Sequence, residues 1–453
     1  MLRGREAYWQ GDLPTADKHL AAATGRFARD RDCARLDRAM VALVRGDAAT
    51  AERLFRESRD RWEHLQSKSA SEAALSLLSD ERSRAYAGEP YELVLLRTML
   101  ALSNLLQDGG DARAYCLQIE QEQARLLRSE ADGGEQAPPP PVVGGVAVGA
   151  YLQAVVEEAS HTRYDEAHRA FVAAAHWSPE PHSFAADVRR AADGVHSAAG
   201  HGVVQIVALV GRGPVKAEVE AEATTAALLL ADRMLSALGD HTLPPTIAPV
   251  RIAETAAPPC VVDQLAVRVN GAPSGRTAIL TDVVQLAAAR SAATRDQRIA
   301  AAVVRRCVKK AAVYGAKDAM DVASPWAELA WDAAGVAWES LERADVRCWG
   351  LLPAQFQALR LELPAGDHSV ELQALRRGVA AGPAYSILVR VDDGGTCYVA
   401  AAFPDGRLLG SIAASSRPES RPRAQSERSK AVASSTALHG SAASRGSIVT
   451  QSR

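Results

Sequence analysis

Two groups of cations and one run of histidines are the side chains whose type and spacing could do chemistry. Lys216 closes the loop Gly211-Arg212-Gly213-Pro214-Val215-Lys216, directly behind an apolar run at 203–210, where phosphate-cradling loops sit. The spacing fits neither GxxxxGK[ST] nor GxGxxG, and Pro214 lacks the amide hydrogen such a cradle would use. A turn or hairpin is therefore expected here, with anion binding by Lys216 as the alternative. Further on, Arg298, Arg305, Arg306, Lys309, Lys310 and Lys317 crowd one side of a helical pattern over 294–320. An apolar stripe of Ile299, Val303, Cys307 and Tyr314 runs along the other side. Such a face is ordinarily solvated. Its alternative uses are an anionic lipid surface or an acidic partner, and the lack of interleaved aromatic residues speaks against nucleic acid.

His161, His168, His176 and His182 lie close together in the chain, but the seven-residue step between the first two is not the i, i+3 or i, i+4 pairing of zinc-binding helices. They read as surface histidines. The six cysteines (Cys33, Cys116, Cys260, Cys307, Cys348 and Cys397) form no CxxC pair and read as buried small residues. No Ser/His/Asp or Cys/His set has a local signature. The sequence thus nominates no catalytic, cofactor-binding or metal-binding residue.

The elements that would position these side chains are mostly helical. Hydrophobic residues make up 47% of the 453-residue chain and aromatics only 5%, a balance that suits close-packed helices. With 52 basic and 54 acidic side chains the formal charge is −2, so no global field recruits nucleic acid or an anionic membrane. No apolar stretch reaches the roughly 18 to 20 residues that span a bilayer.

Tyr8-Trp9-Gln10-Gly11-Asp12 through Ala16 recurs about 35 residues later as Leu43-Val44-Arg45-Gly46-Asp47 through Ala51, the period of tetratricopeptide helix pairs. Glycine tolerates the left-handed conformation that ends one helix, and aspartate caps the next. Ala51, Leu54, Phe55, Ser58 and Trp62 then follow at helical spacing. Weaker copies break at 108–111 and around Arg163-Tyr164-Asp165. A Gly/Pro-rich loop near 132–149 separates them. The expected domain is a stack of antiparallel helix pairs over residues 1–185.

A second domain, α+β, is expected over 200–410. Strands are expected at 203–210, 250–252 and 264–269, with a turn at Asn270-Gly271 and a strand leading into a helix at 279–286. Helices follow at 294–320 and 325–342, the latter anchored by Trp331 and Trp338 with Trp326 nearby. Alternating residues then predict two hairpins, 359–363 with 370–374 and 385–391 with 397–403. Residues 411–453 carry seven basic and two acidic groups among Ser and Ala, a net +5, and are expected to be disordered. A chain ending at Gly410 is expected to melt like the full one.

The segments Ala85-Tyr86-Ala87-Gly88-Glu89-Pro90-Tyr91-Glu92, Leu96–Leu105, Gly211–Lys216 and Leu352–Gly366 resemble a family of bacterial tetratricopeptide lipoproteins without an established activity. The resemblance spans most of residues 1–405. It implies an envelope-associated protein with helical repeats and a strand-rich partner domain, and supplies no catalytic residue. Such proteins begin with a lipoprotein signal and a lipid-bearing Cys, which this sequence does not show; a start upstream of Met1 is one expectation, a cytoplasmic variant the other. The functional expectation is a non-catalytic scaffold that holds a protein or peptide in its helical groove. An enzyme with its site in 200–410 and a structural envelope component are the alternatives.

Overall fold

Each Gly-Asp pair ends one helix and starts another. The computed structural model describes residues 1–25, 29–76, 85–131, 145–238, 249–319 and 343–416. Helices α1 (Leu2–Trp9) and α2 (Leu13–Ala23) meet at Gly11, and α3 (Arg31–Val44) and α4 (Ala48–Ser76) meet at Gly46. Both glycines are left-handed, with φ of 84° and 81°. Asp12 and Asp47 then accept from the amides of Thr15 and Thr50 at 3.1 and 3.0 Å, the N-caps expected of them. The pairs α5 (Pro90–Leu105) with α6 (Ala112–Ala131) and α7 (Ala147–Glu158) with α8 (Tyr164–Trp177) break at left-handed Gly109 and His161. Each helix packs on the next along the chain, ending with α9 (Ala185–Ala192). Ala16 and Ala51 are fully buried, as are Leu54, Phe55, Ser58 and Trp62 behind them.

At His201 the chain turns to strands. These are β1 (His201–Val210), β2 (Val215–Ala221), β3 (Val250–Ala256), β4 (Gln264–Val269), β5 (Ala272–Arg276), β6 (Ala278–Asp282), β7 (Gln355–Pro364), β8 (Gly366–Arg376), β9 (Val379–Val391), β10 (Thr396–Phe403) and β11 (Leu409–Ala414). Helices α10 (Thr225–Leu238), α11 (Val283–Ala293) and α12 (Arg295–Ala319) intervene. A five-stranded sheet runs in the order β11-β10-β1-β7-β6, with β1 parallel to β10 and antiparallel to β7. A four-stranded sheet, β5-β4-β8-β9, covers one of its faces.

Strand β1 shows why its sequence is apolar throughout: both of its faces are covered. Val204, Ile206, Ala208 and Val210 point toward Val267, Leu372 and Val389 of the smaller sheet. Val207 and Leu209 share a core with the helices, joined by Phe356, Ala358 and Tyr398. Helices, large sheet and small sheet thus form three layers, and the compact unit runs from Met1 to Ser416. Outside the layers, the β2-β3 ribbon packs on α10 and α12 through Ile252, Ala231, Ile299 and Val303.

Both expected hairpins are corrected. Strand β7 pairs with β1 and β6 while β8 pairs with β4 and β9, so the chain changes sheets across Pro364-Ala365-Gly366. It changes back between β9, which pairs with β8, and β10, which pairs with β1 and β11. The alternation is real, but it specifies which face is apolar, and Leu361 and Leu372 satisfy it from opposite sides of one core. The Asn270-Gly271 turn does join a paired hairpin, β4 with β5.

Two boundaries also move. Residues 132–144 of the expected loop lie outside the described residues, and Ala147–Gly149 already belong to α7. Strand β11 runs through residue 411 into the expected tail, burying Ile412 and Ala413. Gly410 sits so close to α3 that a Cβ there would fall 2.0 Å from the Val44 carbonyl oxygen. A chain stopped at Gly410 would lose this strand; residues 417–453 lie outside the described residues, as do Trp326, Trp331 and Trp338. Cys260 is exposed and Cys307 half-buried, whereas the other four cysteines are buried as expected. No helix among the described residues is long and apolar enough to cross a membrane.

Candidate functional site

Two concave places are built by these layers, one apolar and one cationic. The first lies on the helical stack, floored by α7 and walled by α6 and α8, with a volume of about 320 Å³. Ile119, Leu127, Ala150, Ala170 and Trp177 make its surface, and Leu117 at its edge is 40% exposed. Short residues on α7 and α8 create the hollow, because alanine leaves room where a longer side chain would fill it. Its polar groups are partly paired, Arg113 at the rim to Glu157, buried on α7, at 3.4 Å and Gln153 to Glu120 at 3.0 Å.

The second is a cleft of about 260 Å³ between the loop before α5, the β2-β3 ribbon and α12. The start of α5 is fixed by Pro90 in its first turn and by Glu92, whose carboxylate accepts the Glu89 amide at 2.9 Å. Glu92 also accepts from the Tyr86 hydroxyl and, at 3.3 Å, from the Trp349 amide. Burial pushes its carboxyl pKa upward. Trp62 supports the loop from below, edge-on to Tyr86 with ring centroids 6.1 Å apart.

The loop at 211–216 reaches this cleft from the large sheet. The Gly213 amide donates to the Leu352 carbonyl at 2.9 Å, and Lys216 enters β2, pairing Nζ to Glu89 Oε1 at 2.5 Å. The loop is a turn as expected, but it links strands of different sheets and makes no hairpin. Burial opposes the Lys216 ammonium, and the Glu89 and Glu92 carboxylates more than reverse this, so its pKa is raised. For Glu89, burial is overcome by Lys216 and the pKa is lowered.

The cations nominated by sequence therefore separate. Lys216, Arg298 and Arg305 line the cleft together. Arg298 donates to the carbonyls of Ala253 and Ser291 and to Ser291 Oγ. Arg306 instead donates to the Pro249 carbonyl at 3.0 Å, away from the cleft. Lys309, Lys310 and Lys317 lie on α12, but their side chains are outside the described residues.

Sequence reasoning missed Arg251 and Arg347. Arg347 is held by Asp345 through two bonds of 2.8 and 2.7 Å, while Arg251 reaches Glu218 and Glu220 only at 3.7 and 3.8 Å. The available signal was the motif pair Ala85–Glu92 and Gly211–Lys216, whose residues meet here although they are far apart in the chain. The histidines are scattered except His161, whose ring lies tilted against that of His196 with centroids 4.7 Å apart. Among the described residues no group of three or more His, Cys, Asp or Glu is placed to hold a metal ion. No protein-family model, curated protein or solved structure matches this chain.

Proposed function

We propose that this chain is a non-catalytic interaction protein that holds a segment of another protein in the groove between α6 and α8. The groove itself carries the proposal. Its surface is mostly apolar, its charges other than the buried Glu157 sit at the rim, and helix-stack proteins present peptide sites of this kind. The occupant that fits is a helical or extended segment bearing one or two leucine- or phenylalanine-sized anchors. In the cleft, the ionisable groups Lys216, Glu89, Tyr86 and Glu92 are bonded to one another, an arrangement that suits holding more than reacting. The resemblance of residues 85–105, 211–216 and 352–366 adds a location to this proposal, the bacterial cell envelope, and cell fractionation checks it.

The groove is tested by site-directed photocrosslinking from Arg169, an exposed residue of its lining, followed by identification of the captured protein. Leu117→Asp and Ala173→Glu should each cut the yield of that partner at least tenfold while leaving the melting midpoint unchanged, since Leu117 is partly exposed and Ala173 half-buried. Unaltered capture by both variants would remove the groove from the mechanism.

A further inference from the structure

We propose that the occupant of the groove between α6 and α8 is an amphipathic α-helix running antiparallel to both, with bulky apolar side chains near its N-terminus and a lysine or arginine about two turns later, opposite Glu120. Such an occupant presupposes the groove's role as a partner site. On α6 the groove is lined by Arg113, Leu117, Glu120, Ala124 and Leu127, in steps of four, three, four and three. On α8, Glu166, Ala170, Ala173 and Trp177 follow in steps of four, three and four; on the α7 floor, Ala150, Gln153 and Glu157 follow in steps of three and four. Alternating steps of three and four keep residues on one helical face, and a seam of this kind is filled by a facing helix with the same spacing. An extended segment, whose side chains repeat every second residue, has no such match.

The direction follows from the pairs across the trough. Arg113 meets Glu157, Glu120 meets Gln153, and the Val146 amide donates to Gln123 Oε1 at 2.8 Å, so numbers rise along α6 as they fall along α7. Arg163 meets Glu157, and Trp177 packs on Gly145, where a Cβ would fall 2.2 Å from the indole ring, so α8 also runs against α7. A helix laid between α6 and α8 continues this alternation by running against both, which sets its N-terminus beside Leu127 and Trp177 and its dipole against theirs. The short side chains of Ala124, Ala150 and Ala173 leave room there for bulky anchors.

Charge selects the remaining contact. Glu157 is offset by Arg113 and Arg163, and Glu166 by Arg169 at 3.6 Å. Glu120 is exposed and bonds only the neutral Gln153, so among the described residues no cation offsets it. It stands seven positions before Leu127, about 10 Å along the axis, so a helix anchored against Leu127 reaches it with the side chain seven positions after the anchor. A cation is attracted there and a carboxylate repelled.

The test uses the full chain and a phage-displayed library of helical peptides randomised on one face and about 20 residues long, enough to hold a helix alone. Selected peptides should carry two leucine- or phenylalanine-sized residues three or four positions apart, with lysine or arginine seven after the first, and should lose binding to Ala173→Glu. In fluorescence anisotropy, replacing that cation by norleucine should weaken binding about twofold to fivefold in wild type and not at all in Glu120→Gln, which keeps the acceptor for Gln153. A central proline in the peptide should abolish binding. No selected binder, binding that tolerates the proline, the reverse order of anchor and cation, or a norleucine effect that persists in Glu120→Gln would each overturn the helical, basic occupant, while photocrosslinked capture lost in Ala173→Glu would still uphold the groove. Capture that survives both Leu117→Asp and Ala173→Glu would overturn groove and occupant together.

Discussion

Lowering the pH should destabilise this protein through one buried imidazole. His196 is only 3% exposed, with its ring nitrogens 3.1 Å from Ser197 Oγ and 2.9 Å from Thr396 Oγ1. Burial, then His161, Arg360 and Arg190, push its pKa down from 6.5 to about 4, with Glu362 opposing. The unfolded chain therefore takes up a proton near pH 6.5 that the folded chain refuses until about pH 4, so stability falls as pH falls across that window. At 1.36 kcal/mol for each pH unit, the loss from this group is about 3 kcal/mol. Urea unfolding of wild type and His196→Gln from pH 7.5 to 4 measures it. Glutamine reaches toward Thr396 without titrating, so the variant should gain on wild type by about 3 kcal/mol as the pH drops. A stability difference between the two that stays flat over the window would refute the reasoning, as would an imidazole NMR titration midpoint near 6.5.

Asp37, fully buried, binds Arg5 Nε at 2.6 Å and the Leu351 amide at 3.2 Å; Asp37→Ala should cost about 3 to 5 kcal/mol in urea unfolding, and Arg5→Met with Asp37→Leu should restore more than half of it. Ala51→Phe forces a ring into a fully buried position of the helical stack and should cost about 1 to 3 kcal/mol, read as a lower melting midpoint. An unchanged midpoint would remove the close contact inferred at Ala51. The Lys216–Glu89 pair should make wild type more stable than Lys216→Met over a defined range. Its contribution is lost as pH falls through the lowered Glu89 pKa, below 4.5, and as pH rises through the raised Lys216 pKa, above 10.5. Equal pH profiles for the two proteins would argue against the pair.

What the sequence made legible was local. The Gly-Asp breaks at 11–12 and 46–47, the Asn270-Gly271 turn and the apolar side of α12 each depend on residues within a turn or two of one another, and each is where the pattern put it. Strand partners were not legible. Alternation in β7 and β8 fixed an apolar face for each, but the choice of neighbour depends on β1 and β4, distant in the chain. The cleft was hidden for the same reason, since Lys216 and Glu89 are 127 positions apart and Arg347 is farther still. A lysine read as part of a turn and two arginines read as a solvated helix face come together only when the fold sets them around one space. His161 is exposed, as its surface reading expected, and what the sequence did not show is its neighbour His196, which approaches from the turn between α9 and β1.

The placement of β1 in the middle of the large sheet has a consequence for how the protein is made. Its neighbours β7 and β10 are synthesised long after it, and the end of β10 at Phe403 emerges 193 residues behind Val210. At about 5 to 20 residues per second, that interval lasts roughly 10 to 40 s. The helix pairs, by contrast, close through contacts within a few dozen residues and can form as the chain leaves the ribosome. For the length of that delay the nascent chain carries an assembled helical stack whose sheet-facing side is bare, alongside an apolar strand with both edges open. Chaperone capture of ribosome-bound chains should therefore peak once β1 has emerged and fall off only when β10 has.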